Sequence, residues 1–119
     1  SIAKNKNKKI SAAVFPYPEI SKEMVLQDWS SWDLDIICPM NYHHFYDGGI
    51  DWIADSVSKG IKHKKSDGIY LSGLFLAALS PSKLKEAIKS CLERGADGVC
   101  LFNNEYLTEK HIKIIKSYR

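Results

Sequence analysis

Four short apolar runs rich in β-branched or aromatic residues recur along the chain: Ile10–Phe15, Leu34–Met40, Ile69–Leu76 and Gly98–Phe102. Each has the length of a strand and is too continuous for a strand with one solvated face. A turn signal and then helical periodicity follow every run. The first helix is predicted to start with Ser21 as cap and to carry Met24, Val25, Trp29 and Trp32 inward. The second runs from about Ile50 through Trp52, Ile53 and Val57, with Gly60 as its stop. The third has Ser80 as N-cap and Pro81 in the first helical position, then Leu84, Ala87, Ile88, Cys91 and Leu92 at three- and four-residue steps, and ends at Gly95. The last starts at Thr108 and presents His111, Ile112, Ile115 and Tyr118.

Successive strands lie about 25 to 35 residues apart, the length of a βαβ crossover, so the fold class is α/β with parallel strands. Right-handed crossovers in sequence order place every helix on one side, an arrangement that curls towards a barrel. A closed barrel takes eight strands and about 250 residues, so residues 10–119 are expected to form a (βα)4 half of a (β/α)8 TIM barrel. An open doubly wound sheet is the alternative. Half a barrel leaves two strand edges and an apolar face uncovered. The missing half is therefore expected from an N-terminal half-barrel or from a second copy of the chain, a homodimer. Residues 1–9 read as a linker or the end of a preceding helix.

The chain has 119 residues, 45% hydrophobic and 26% charged, which suits one core. It opens Ser1-Ile2 without a methionine, as a processed chain or an excerpt would, and shows no export signal. No apolar run approaches the roughly 20 residues of a membrane span. The net charge of +3 comes mainly from lysines at 4–9 and 62–65, without interleaved aromatics or arginines. They read as solvated loops, and no nucleic-acid partner is expected. Cys38, Cys91 and Cys100 lack the paired short spacing of a zinc site or redox dithiol and read as buried thiols. No cofactor and no metal are expected.

Ligands of parallel α/β proteins bind at the carboxyl ends of the strands. The richest such end is Asn41-Tyr-His-His-Phe-Tyr-Asp47. Alternation puts Cys38, Met40 and Tyr42 on one face and Ile37, Pro39 and Asn41 on the other. Tyr42 would bring a phenol to the top of the interior in a supporting catalytic role, or be an ordinary buried tyrosine. His43 and His44 point apart on an extended chain and cannot easily share a metal; His43 is a candidate substrate contact. Asp47 is a weaker catalytic candidate, and Asp51 suits an N-cap. Trp52 would stack on a sugar ring or pack against the sheet. Tyr17 and Glu19, in the proline-fixed loop after the first strand, and Asn103, after the fourth, complete the candidate binding set with Asn41.

Ser11–Pro16, Val25-Leu-Gln-Asp-Trp-Ser-Ser-Trp32, Asp35-Ile-Ile-Cys-Pro-Met-Asn-Tyr42 and Gly95-Ala-Asp-Gly-Val-Cys-Leu-Phe102 resemble the second half of the bacterial glycoside hydrolase-like TIM-barrel proteins. The resemblance implies strands five to eight of the barrel, a polysaccharide or glycan as partner, and a periplasmic or cell-envelope location, often as a lipoprotein. Met40-x-Tyr42 also resembles the sixth-strand Met-x-Tyr-Asp of chitinase-type hydrolases. His43 stands where that aspartate would be, which speaks against a substrate-assisted mechanism. The family's main acids belong to the half not present here, so the isolated chain is expected to be inactive or nearly so. A non-catalytic carbohydrate-binding or self-assembling half-barrel is the competing reading.

Overall fold

In a computed structural model, which describes residues 2–118, the protein is an α/β structure built on one four-stranded parallel sheet. A helical turn, α1 (Ile2–Asn5), precedes β1 (Ser11–Val14), α2 (Pro18–Val25), β2 (Ile36–Pro39), α3 (Ile50–Ile61), β3 (Ile69–Phe75), α4 (Pro81–Glu93), β4 (Gly98–Phe102) and α5 (Glu109–Lys116). Short 3₁₀ turns at Trp29–Ser31, His43–Tyr46, Leu76–Ala78 and Asn104–Tyr106 fill the connections.

The strand order is β1-β2-β3-β4, each pairing parallel with the next in sequence. That order differs from a doubly wound sheet, where the order reverses and helices cover both faces. Two aspartates set the strand starts by the same device. Asp35, just before β2, donates its N–H to the Ile10 carbonyl, and its carboxylate accepts from Ile10 N–H at 2.7 Å. Asp97, just before β4, repeats this with Tyr70, its carboxylate accepting at 2.8 Å.

Alternation divides the sheet into two unlike faces. Val14, Ile37, Tyr70 and Leu74 are buried on one, beneath Ile53 and Val57 of α3 and Leu84, Ala87, Ile88 and Cys91 of α4, with Ile114 and Ile115 of α5 against them. The other face carries Ser11, Ala13, Ile36, Cys38, Met40, Ile69, Leu71, Gly73, Phe75, Gly98, Cys100 and Phe102. No helix covers it. Ile69 is 42% exposed and Phe102 51%.

α4 follows its sequence signals closely. Ser80 caps it, Pro81 occupies the first position, and Gly95 at φ 103° ends it. There Gly95 N–H bonds the Leu92 carbonyl and Ala96 N–H the Cys91 carbonyl, the paired arrangement that closes a helix on a left-handed glycine. α5 begins at Thr108, whose hydroxyl accepts from His111 N–H while the His111 ring meets Thr108 N–H.

Other expectations are corrected. α2 starts at Pro18, with Tyr17 in the cap position and Ser21 buried inside it, and stops at Val25 because Leu26 turns left-handed at φ 57°. Met24, Val25 and Trp32 consequently stay exposed, and only Trp29 enters the core, its indole N–H donating to the Phe15 carbonyl at 3.0 Å. Gly49, rather than Asp51, is the N-cap of α3. Gly60 lies within α3, where an added Cβ would sit 3.0 Å from the Tyr70 ring and 3.3 Å from the Pro16 carbonyl; it is a contact glycine, not a stop. Of the three thiols only Cys91 is buried; Cys38 is half-buried and Cys100 exposed, because both lie on the uncovered face. Nor is the second lysine cluster simply solvated: Lys64 donates to the Gly68 carbonyl at 2.9 Å, and Lys65 pairs with Asp33 at 3.1 Å and Asp35 at 3.6 Å.

Candidate functional site

The carboxyl ends of β2, β3 and β4 bring four rings together on the uncovered face. Tyr42 lies 5.7 Å from Phe75, 6.0 Å from Phe102 and 6.1 Å from Phe45, centroid to centroid. Gly73 makes this possible: the Tyr42 ring lies over it, and a Cβ there would meet the ring edge at 3.4 Å. Below the rings stand Cys38 and Cys100. Burial raises the Tyr42 phenol above its ordinary pKa, and the two thiols add to the rise. Burial, reinforced by Cys100, pushes the Cys38 thiol up to about 12. Tyr42 is therefore a neutral phenol and Cys38 a neutral thiol across the physiological range.

Beside the cluster is an apolar groove of about 310 Å³ lined by Phe15, Met24, Met40, Tyr42, Phe45 and Tyr46. None of its lining residues is a carboxylate, so the groove can hold an apolar or ring-shaped surface but does not supply the carboxyl pair that glycoside hydrolysis normally uses.

The remaining candidates separate from this cluster. Asn41 is fully buried on the helix side of the sheet, donating to Tyr70 Oη at 3.1 Å and Ser72 Oγ at 2.9 Å. It is a structural amide closed to a ligand, as its place on the face opposite Tyr42 requires. Trp52 stacks on Tyr46 at 4.7 Å and 14°, lying so close over Gly48 that a Cβ there would be 2.5 Å away. Asp47, exposed, takes the left-handed conformation that ends the His43–Tyr46 turn.

Tyr17 and Glu19 pack against the end of α3. The Lys59 ammonium sits 4.9 Å over the Tyr17 ring, and Glu19 pairs with His63 at 3.1 Å. Burial works against ionisation of Glu19, but hydrogen bonds from its own backbone and His63, and the charges of His63 and Lys22, outweigh it and lower its pKa. Asn103 uses its side-chain oxygen to accept from Glu105 N–H at 3.1 Å, capping the short turn after β4.

His43 is brought to a different place. Its ring is 9% exposed, lies under the start of α4, and keeps Nδ1 enclosed without a hydrogen-bond partner. Burial lowers its pKa, partly offset by a backbone hydrogen bond at Ala78, with His44 lowering it further. Among the described residues, no three His, Cys, Asp or Glu side chains converge as a metal site, and no helix is long and apolar enough to cross a membrane.

Phe45 and Phe75, which complete the cluster with Phe102, were not singled out by residue chemistry. The strand register carries the signal, since Phe75 pairs with Phe102 two residues beyond Gly73 and Cys100, on the same face. Comparison with protein-family models, curated proteins and solved structures returned no match to this chain. Its functional reading rests on its own residues.

Proposed function

We propose that the chain is one (βα)4 half of a (β/α)8 barrel of the glycoside hydrolase-like type, and that its aromatic rim binds a glycan. The observation that carries this reading is the uncovered apolar face ending in the Tyr42, Phe75, Phe102 and Phe45 rings. Sequential parallel order with helices on one face supports a barrel segment, whose bare face a second set of strands would close. A helical turn leading into β1 suits an N-terminal half as the partner. Aromatic faces suit the flat apolar faces of pyranose rings, and the neutral Tyr42 phenol suits hydrogen bonding to a sugar oxygen.

In this reading the chain binds and orients the sugar, and the acid comes from the completing half. The cell-envelope location implied by the resemblance belongs to the same proposal.

The test has two arms. Light scattering of the chain alone and with four further strands supplied upstream should show self-association in the first case and a compact monomer in the second. A chain that stays monomeric alone with Cys100 freely reactive would remove the barrel. Glycan retention by the completed protein should fall at least about tenfold, near 1.4 kcal/mol, in Phe75→Ala and Tyr42→Ala. Unchanged retention in both would remove the glycan.

A further inference from the structure

Cys38 and Cys100 stand on the same uncovered face but on strands that are not neighbours, β2 and β4. Between them β3 presents Gly73, in register with Cys100, and Leu71, two residues earlier on the same face. Gly73 has no side chain, and Leu71 leans towards Gly98, where an added Cβ would lie 3.2 Å from Leu71 Cδ2. The two thiols consequently meet across β3. Cys100 is close enough to hydrogen-bond Cys38, and both act on the Tyr42 phenol above them.

This meeting does not suit a disulfide. Neighbouring strands lie about 4.8 Å apart, so the two Cα atoms are about 9.6 Å or more apart across β3, whereas a disulfide needs them within about 7 Å. Two thiols held near one another on paired strands, yet too far apart to join directly, have room for one atom between them. Three features say which atom. Both groups are thiols, and Met40, in the cross-strand row of Gly73 and Cys100, brings a thioether to the same face, so the site is soft. Among the described residues no three His, Cys, Asp or Glu side chains converge, which is too few for a structural zinc or an iron–sulfur cluster. The third feature is charge: burial and the neighbouring thiol both oppose a Cys38 thiolate, and a cation bound to both sulfurs removes that opposition.

We propose that Cys38 and Cys100 form a two-coordinate site for a copper(I) ion, bridging β2 and β4 over Gly73. A soft ion with a filled d shell accepts two thiolates and needs no further ligand. Two sulfur–copper bonds form as two S–H bonds break, the protons pass to solvent, and the metal stays copper(I), so no oxidant or reductant is consumed. Exposed Cys100 gives the ion its entry, and half-buried Cys38 is the inner ligand. The site stands apart from the glycan reading and survives its failure.

The experiment is an anaerobic titration of the full chain against the copper(I) complex of bicinchoninate, whose colour fades as the protein takes the metal. One copper(I) per chain is expected. Cys38→Ser and Cys100→Ser should each weaken binding at least about a hundredfold, the most that loss of a mere supporting contact costs a metal site. Circular dichroism separates loss of a ligand from loss of the fold: both variants should keep the parent spectrum. A second readout uses the unaltered chain. Bound copper(I) should protect Cys38 and Cys100 together from iodoacetamide, with buried Cys91 as the internal reference. Half a copper per chain, parent-like binding in either variant, or alkylation of Cys100 with the metal still bound would overturn the site.

Discussion

Gly73→Ala tests the packing on which the aromatic cluster stands. A Cβ at Gly73 would lie 2.8 Å from the Pro39 carbonyl oxygen, 3.3 Å from Met40 Cα and 3.4 Å from the Tyr42 ring. The first two are backbone atoms of the β2 region, joined to β3 through the Met40–Gly73 bridge, so they cannot swing aside as a side chain tip would. Intrinsic preference argues the other way, because alanine is better than glycine within a strand by about 0.5–1 kcal/mol. Overpacking a fixed backbone costs about 1–3 kcal/mol, and at 2.8 Å the upper part of that range applies. The net expectation is a loss of about 1–2 kcal/mol. For 119 residues, an unfolding entropy of about 2.1 cal/mol/K per residue converts this to a fall in Tm of about 4–8 °C. Thermal unfolding by circular dichroism reads it directly, and near-ultraviolet ellipticity of Tyr42 should change with it. The sign decides the matter: a Gly73→Ala chain melting at or above the parent would refute the close approach of β2, β3 and the Tyr42 ring.

Asn41→Ala should lose about 2–3 kcal/mol in urea unfolding, because it strips a buried partner from both Tyr70 Oη and Ser72 Oγ; a loss under about 0.5 kcal/mol would contradict that network. In the unassociated chain, iodoacetamide followed by peptide mapping should modify Cys100 first and Cys38 more slowly. Cys91, fully buried with its thiol raised by burial to about 11 despite a hydrogen bond with Ser72, should react only on unfolding. Leu26→Gly should raise stability by about 1 kcal/mol, since Leu26 is 89% exposed at φ 57° and gives up little packing; a lower urea midpoint would deny the left-handed turn. Because the folded His43 pKa lies below its ordinary 6.5, its contribution is present above about pH 6.5 and is lost as the pH falls towards the lower folded value. Urea midpoints should therefore drop more steeply on acidification for the parent than for His43→Gln, and parallel curves would exclude burial as the cause.

The sequence was most legible where structure depends on neighbouring residues. The bounds of α4 follow from Ser80, Pro81 and Gly95, and those of α5 from Thr108, because caps act within one turn. The end of α2 was hidden because its left-handed stop falls on a leucine, a residue whose chemistry announces nothing. Gly60 and Asp51 were misread for a related reason: the glycine serves contact with Tyr70, the cap of α3 falls on Gly49 instead of Asp51, and neither role shows in local spacing. Within the candidate site, alternation along β2 placed Tyr42 and Asn41 on opposite faces, yet only burial decided that the Asn41 face is the closed one. Phe75 and Phe102 needed the inter-strand register.

The strand order has a consequence for how the chain is made. Each strand pairs with the one synthesised before it, across intervals of about 25 to 33 residues. No pairing waits for a segment from the far end of the polypeptide. The sheet can therefore grow vectorially at the ribosome, one βα unit docking on the last, with short loop closures favouring each addition. The cost falls on the leading edge, which stays open to strand pairing until the next unit emerges, and for β4 until something else arrives.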